Sequence, residues 1–596
     1  MGVFTTIQRE WTTFSGLRRT LKLTEDISPD SPNLVADDFE ATVDKHRANV
    51  AFRFEGSVMT YGEFEARANR YANFALHQGL KPGDCASLFM ENRPDYVAAW
   101  VGLSKIGVVA ALINHNLEGD GLAHCINISD SKLVICGEEQ AASIGSVDGK
   151  LSNAPAIWAL GGNGGQDLSA ALETASTDRP DRSHRAHLRG SDLCQYVYTS
   201  GTTGLPKAAK LTQMRTQGMM RAFIPPCRTT PRDRVYITLP LYHGTGGICG
   251  VGMALMSGSS IILRRKFSAS KFWDDATDEG ATAIVYIGEL CRYLLNQPPH
   301  PKERSHRIRT GFGNGLRPEV WQAFLDRFNI PHLCEFYGST EGNVSFANYD
   351  GKVGAVGRIP SWLESRFGHI AFVKFDVAEE APIRGEDGFC QLTDPDEPGE
   401  AIGRIDNSEA RQRFEGYSDE QATAKKILRD VFEPGDMWFR TGDLMKKDAQ
   451  GYIYFVDRIG DTFRWKSENV STNEVAEAIA GYPGVETANV YGVEVPGADG
   501  RAGMAAVTAK GDVDLPGLHA FLSSKLPSYA VPLFVRVQKE AETTGTFKYR
   551  KVELVKEGFN PAEVQEPLWF AHPEKGEYAP LTADEHETIL AGGYRF

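Results

Sequence analysis

The stretch Thr199-Ser-Gly-Thr-Thr-Gly-Leu-Pro-Lys207 crowds four hydroxyls, two glycines and a lysine together. Gly201 and Gly204 let backbone N–H groups turn toward an anion with no Cβ in the way. The hydroxyls of Thr199, Ser200, Thr202 and Thr203 add donors, and Lys207 supplies a fixed positive charge. The chemistry this suits is phosphate binding. It is not the Gly-x-x-x-x-Gly-Lys-Ser/Thr loop, because Lys207 follows Pro206 and Ala208 stands where the magnesium hydroxyl would be. Further on, Phe336-Tyr-Gly-Ser-Thr-Glu-Gly-Asn343 puts a flat aromatic face (Tyr337), a hydroxyl (Thr340) and a carboxylate (Glu341) on one tight turn. That combination matches adenine stacking, α-phosphate contact and Mg²⁺ coordination. Asp443 is suited to accepting hydrogen bonds from two ribose hydroxyls, and Arg458 is a candidate second ribose or phosphate contact. His243 in Leu239-Pro-Leu-Tyr-His243-Gly-Thr-Gly-Gly247 reads as the end of a strand, where a lone histidine is more often a bonded core residue than a catalyst.

The loop at 199–207 resembles the signature loop of the adenylate-forming enzymes, the superfamily of acyl-CoA synthetases, peptide-synthetase adenylation domains and luciferases. The octet Phe336 to Asn343, the run Gly460-Asp-Thr-Phe-Arg-Trp-Lys466, Glu468-Asn-Val-Ser-Thr472 and the tail from Pro567-Leu-Trp-Phe570 are similar to its very-long-chain acyl-CoA synthetase and fatty acid transport protein branch. The likeness covers nearly the whole chain, with the motifs in the same order. It implies that Gly313, Asn314 and Gly315 lie against adenine, and that His243 walls the junction of acyl and nucleotide pockets. It also implies that Lys548, in Thr543-Thr-Gly-Thr-Phe-Lys548, spans the substrate carboxylate and the α-phosphate. Two positions depart from the pattern. Gly460 stands where the wider superfamily carries an Asp or Lys pivot, and Ser467 stands where glycine is expected near the pantetheine path.

Positioning these residues requires an α/β frame. Thr60-Tyr-Gly-Glu63 is a capping box that opens a helix with Phe64, Ala68, Tyr71, Phe74 and Ala75 at helical spacing, closed by Gly79. A strand at Cys85 to Met90, a helix from Pro94 to Ile106 and strands at Val108 to Ile113 and Leu133 to Ile135 follow. This rhythm means a parallel sheet covered on both faces. Residues 152–187, rich in Gly, Ser, Asp and Arg, read as a solvated connection, and Gly244 to Leu263 as a core helix and strand. Alternating helices and strands from Asn473 onward indicate a small α+β unit. The expected organisation is a large adenylation domain with covered parallel sheets over 1–457 and a small mobile C-terminal domain over 458–596.

The chain of 596 residues is 41% hydrophobic and 24% charged, with a formal charge of −14, which speaks against a nucleic-acid partner. Nine scattered cysteines with no Cys-x-x-Cys pair suggest neither zinc nor disulfides and fit a reducing cytosol. A cytoplasmic protein is expected. Arg18, Arg19 and Lys22 among apolar residues read as a solvated helix, and peripheral contact with the inner face of a membrane stays open. So does a homodimer.

The expected activity is ATP-dependent ligation of a long or very-long-chain fatty acid to coenzyme A through an acyl-adenylate, with Mg²⁺. Ligation of a ring-bearing acid and fatty acid uptake by acylation trapping are the alternatives. A carrier-loading domain is disfavoured because no carrier domain follows Phe596.

Overall fold

A computed structural model describes residues 3–199, 205–377, 379–466, 468–496, 498, 500–509, 511, 513–541, 551–594 and 596. The chain forms two compact units, Met1–Arg358 with Ile405–Ile427, and Ile359–Arg404 with Leu428–Phe596.

The first unit is built on two large sheets. One has seven strands in the order Gln166–Asp167, Ala156–Ala159, Ser131–Cys136, Cys85–Phe89, Val109–Leu112, Leu193–Thr199, Lys207–Thr212. Its pairs are parallel until the last, where Leu193–Thr199 and Lys207–Thr212 run antiparallel. Every residue of Cys85–Phe89 is buried, as a strand covered on both faces requires. The helix Tyr61–His77 opens with the expected capping box: the Thr60 N–H donates to Glu63 Oε2 (2.7 Å) and the Glu63 N–H to Thr60 Oγ1 (3.2 Å). It packs tightly on the helix Pro94–Lys105, where a Cβ at Gly102 would lie 2.4 Å from the Ala68 carbonyl oxygen.

The second sheet has eight strands, in the order Ser345–Ala347, Cys334–Gly338, Thr310–Asn314, Ala283–Ile287, Arg234–Ile237, Ser260–Leu263, Val50–Phe54, Ser57–Thr60. Its interior pairs are parallel and its two outermost pairs antiparallel. Ligands of such sheets bind beyond the carboxyl ends of the parallel strands. Three of the stretches singled out above follow or end such strands.

Two expectations need correction. Residues 152–187 are not merely a solvated connection: Ala156–Ala159 and Gln166–Asp167 form the edge of the seven-stranded sheet, and Arg185 is buried against Asp37 and Glu40. A short apolar run inside a Gly- and Ser-rich stretch was enough to extend the sheet. His243 does not end a strand either. The strand stops at Ile237, and Pro240, which has no N–H, lies in the following turn. There Asn92 stands in for a neighbouring strand, its Nδ2 donating to the Leu239 carbonyl (2.9 Å) and its Oδ1 accepting from the Leu241 N–H (2.9 Å). Gly244–Gly250 is a π-helix continuing into the helix Val251–Ser257 and the strand Ser260–Leu263, all in the core. Among the described residues no helix is long and apolar enough to cross a membrane, and all nine cysteines are buried and free.

The second unit holds an antiparallel sheet, in the order Tyr452–Arg458, Met437–Lys447, Gly399–Arg404, Ile370–Val373, and a five-stranded mixed sheet. The latter runs Val485–Glu494, Arg501–Ala509, Phe534–Gln538, Leu568–His572, Glu577–Pro580, and the helices Thr472–Ala480 and Leu515–Lys525 belong to the same unit.

Candidate active site

The phosphate-loop stretch is the connection of a hairpin. Thr199, the last residue of its first strand, pairs with Lys207, the first of its second, so both are anchored by the sheet. Ser200, Gly201, Thr202, Thr203 and Gly204 lie outside the described residues. Lys207 Nζ stands 5.6 Å from the centroid of the Tyr417 ring. Tyr417 is buried and donates its hydroxyl to Glu341 Oε1 at 2.5 Å. Burial, and then the Glu341 carboxylate, push that hydroxyl well above the ordinary tyrosine range, so it stays a donor. Lys207, Tyr417 and Glu341 thus form one contiguous row, joining the two stretches that sequence chemistry marked as phosphate and metal ligands.

The turn bearing Thr340 and Glu341 is clamped from below. Arg215, from the helix Gln213–Arg221, donates through Nε to the Thr340 carbonyl (2.7 Å) and through Nη2 to the carbonyls of Ser339 (3.1 Å) and Gly342. Three carbonyls converge on one guanidinium, which fixes the turn. Burial lowers the Arg215 pKa, and the Glu341 and Glu415 carboxylates oppose that shift. His243 caps the π-helix, its Nδ1 accepting from the Thr245 N–H at 3.4 Å. The next residue reaches the turn: a Cβ on Gly244 would lie 3.9 Å from Thr340 Oγ1.

Beside this turn lies the Gly313–Gly315 segment. Gly313 leaves no room for a side chain, since a Cβ there would meet the Tyr286 carbonyl oxygen at 2.2 Å, and Gly315 takes φ +76°. Asn314 Oδ1 is buried and has no hydrogen-bond partner among the described residues. Glu335, on the strand that leads to Tyr337, braces the segment from within. Its Oε1 accepts from the Leu316 N–H (2.9 Å) and its Oε2 from the Tyr286 hydroxyl (2.8 Å). Burial pushes its carboxyl up to about 8, partly opposed by the Leu316 and Gly315 N–H groups and Tyr286. Tyr337 itself is half-buried, its ring 5.9 Å from that of Phe346.

Asp443 and Arg458 belong to the second unit. They face each other across two antiparallel strands, with Arg458 Nε 3.9 Å from Asp443 Oδ1. Fully buried Glu400 steadies that hairpin, accepting from Arg440 (2.9 Å) and from the Gly442 N–H (3.2 Å). Asp457, next to Arg458, accepts from the Thr472 N–H (2.5 Å) and hydroxyl (3.1 Å). Lys551 Nζ reaches both Thr472 Oγ1 (3.1 Å) and Asp461 (3.0 Å). Lys548 and Ser467 lie outside the described residues.

The structure therefore gathers Thr199, Lys207, His243, Gly313–Gly315, Tyr337, Thr340 and Glu341 in one unit and pairs Asp443 with Arg458 in the other. Sequence reasoning missed Tyr417, Arg215 and Glu335. Glu335 left a signal, a lone carboxylate in the apolar run Leu333-Cys-Glu-Phe-Tyr337. Tyr417 and Arg215 left none, because their partners are distant in sequence. The donor set suits Mg²⁺, which takes one or two carboxylates and completes its shell with substrate phosphates and water. One Glu341 oxygen is held by Tyr417, whose ring also meets the lysine of the phosphate hairpin.

A family model described as AMP-binding enzyme matches residues 39–370, and one described as AMP-binding enzyme C-terminal domain matches residues 474–548. The chain is 41% identical over 565 residues to long-chain fatty acid transport protein 6 of Mus musculus, covering 94% of this chain and 90% of that one. It is 41% identical over 545 residues to long-chain fatty acid transport protein 1 of the same organism, covering 90% and 84%. Among solved structures it is similar to ATP-bound MatB from Rhodopseudomonas palustris, with a TM-score of 0.73 and 25% identity over 87% of this chain and 98% of that one.

Proposed function

Since the chain belongs to the AMP-binding enzyme family, in its fatty acid transport protein branch, we propose that it ligates a long or very-long-chain fatty acid to coenzyme A, consuming ATP and releasing AMP and pyrophosphate. The observation that carries this reading is the row Lys207–Tyr417–Glu341, which aligns a cation with a buried carboxylate beside a fixed Thr340 turn.

In the first half-reaction a carboxylate oxygen attacks the α-phosphorus of ATP and the bond to pyrophosphate breaks. Charge gathers on the leaving group and around phosphorus, so cations and oriented donors must already be in place. Lys207 and the 199–204 loop hold the β and γ phosphates, Thr340 contacts the α-phosphate, and Lys548 bridges carboxylate and α-phosphate. Adenine lies between Tyr337 and the Gly313–Gly315 segment, where Asn314 Oδ1 offers an unmet acceptor to its amino group. Asp443 and Arg458 hold the ribose. Glu341 would hold Mg²⁺, which when bound supplies positive charge to the departing pyrophosphate. In the second half-reaction the coenzyme A thiol attacks the acyl carbonyl and AMP leaves. His243 walls the acyl side, and residues 458–596 move between the two steps.

The name of the relatives also speaks for fatty acid uptake, which this chemistry drives by trapping the imported acid as its thioester. The test is pyrophosphate release by purified protein with ATP and Mg²⁺ over short to very long fatty acids, with and without coenzyme A. A maximum at long chains, with thioester formed only when coenzyme A is present, is expected. Release with ring-bearing acids alone would replace the substrate, and release with no acid would overturn the ligase reading.

A further inference from the structure

Most of the helix Gln213–Arg221 is packed into the core, but Arg215, Gly218 and Met219 are only half-buried. Their i, i+3, i+4 spacing puts them on one face, and Ala222, also half-buried, continues it just past the helix end. Arg215 bonds the carbonyls of the Thr340 turn, so this face looks toward that turn. Its remainder, Gly218, Met219 and Ala222, is apolar and leads away from Thr340. Met219 stands at the near end: the position a Cβ would take on Gly244 is 3.2 Å from Met219 Cε and 3.9 Å from Thr340 Oγ1. One point is thus within contact distance of both the thioether methyl and the Thr340 hydroxyl. Beyond Ala222, the Phe223 ring stacks on Phe312 at 3.9 Å and lies 4.7 Å from that of Phe336, the half-buried residue before Tyr337.

We propose that Met219 is a specificity-determining residue for the acid: its thioether, opposite Gly244, forms the wall that an acyl chain passes as it leaves the carboxylate, admitting an unbranched chain and excluding a substituent on the carbon next to the carboxylate. This rests on the ligase reading above, in which Thr340 meets the α-phosphate. The attacking carboxylate must then lie beside Thr340, and its first methylenes beside Met219. Carbon contacts are optimal at about 3.5–4.0 Å, so even one methyl on Gly244 would crowd Met219 Cε. A branch on the acyl chain at this level meets the same limit, whereas a plain methylene chain carries none. The residue type suits the task, because methionine is apolar, unbranched and flexible, and so follows the contour of a chain. The occupant is the acyl chain rather than the nucleotide, because past Arg215 this face offers no polar side chain and it begins where the carboxylate reacts.

The test compares pyrophosphate release by the full chain with palmitic acid and with its 2-methyl derivative, which differ only in the branch. Met219→Ala should raise the kcat/KM ratio of the branched to the straight acid at least about ten-fold, the discrimination that a methylene in an apolar pocket supplies. Met219→Leu, which keeps the bulk, should leave the ratio near that of wild type. Gly244→Ala narrows the same passage from the other wall. It should lower kcat/KM for palmitic acid about ten-fold, and Met219→Ala in the same chain should restore most of that loss. Melting temperature and ATP affinity by isothermal titration establish that each variant is folded, and Met219→Val gives the same comparison where alanine is not tolerated. An unchanged ratio in the folded truncation, or no recovery in the double variant, would overturn this proposal alone. No release by wild type with either acid would overturn the ligase reading and this proposal with it.

Discussion

Tyr417 lies 76 residues from Glu341, and its hydroxyl nonetheless holds that carboxylate at 2.5 Å while Lys207 stacks on its ring. A hydrogen bond to a charged group contributes about 1.5–3 kcal/mol. Tyr417→Phe should therefore lower kcat/KM for pyrophosphate release about ten- to hundred-fold and raise the Mg²⁺ concentration needed for half-maximal rate, as a Mg²⁺ titration would report. Glu335 offers a pH-dependent counterpart. Its carboxyl titrates near 8 when folded, against an ordinary value of 4.5. The folded state thus keeps a proton that the unfolded chain releases, and the stability this confers is complete below about 4.5 and is lost as pH rises through about 8. Glu335→Gln has no proton to lose and can keep the bond from Leu316. Thermal denaturation should show the variant gaining on wild type between pH 5 and pH 8, by up to about 1.4 kcal/mol per pH unit.

At the scale of elements, the π-helix Gly244–Gly250 works by close approach. A Cβ on Gly247 would fall 1.7 Å from the Leu241 carbonyl oxygen, so Gly247→Ala must open the turn that Asn92 holds and shift His243. Overpacking of this kind costs about 1–3 kcal/mol or more, to be read as a lower melting temperature together with a raised KM for the acid. A second device lies three residues beyond Lys548 in the sequence. Lys551 is tied to Asp461 and Thr472, and Thr472 to Asp457, the residue before Arg458. Lys551→Ala should slow acyl-adenylate formation about ten-fold, as loss of a charged hydrogen bond does, with ATP affinity unchanged by isothermal titration. Capping and amphipathic spacing made helices such as Tyr61–His77 legible, because those signals lie within a few residues of each other. The sheet edge at Ala156–Ala159 was not, because a strand's partner is chosen by tertiary packing rather than by its own four residues.

At the scale of the molecule, the proposed cycle asks residues 458–596 to deliver Lys548 for one half-reaction and withdraw it for the other. Lys548→Ala should cut adenylation by roughly 10² to 10³, the usual loss of one preorganised donor. It should still convert supplied acyl-adenylate and coenzyme A to thioester, and comparing the two half-reactions in one preparation tests this. The sequence alone determined the family and the α/β architecture, and it marked the short stretches proposed to carry phosphate, base and ribose chemistry. Glycine loops, hydroxyl clusters and a carboxylate on a tight turn are local and declare their chemistry wherever they fold. Only the tertiary structure decided that Tyr417 joins Lys207 to Glu341, that Arg215 clamps the Thr340 turn, and that Glu335 is buried behind the Gly313–Gly315 segment. Each of these depends on which remote segment packs opposite, a property of the folded chain that no single stretch encodes.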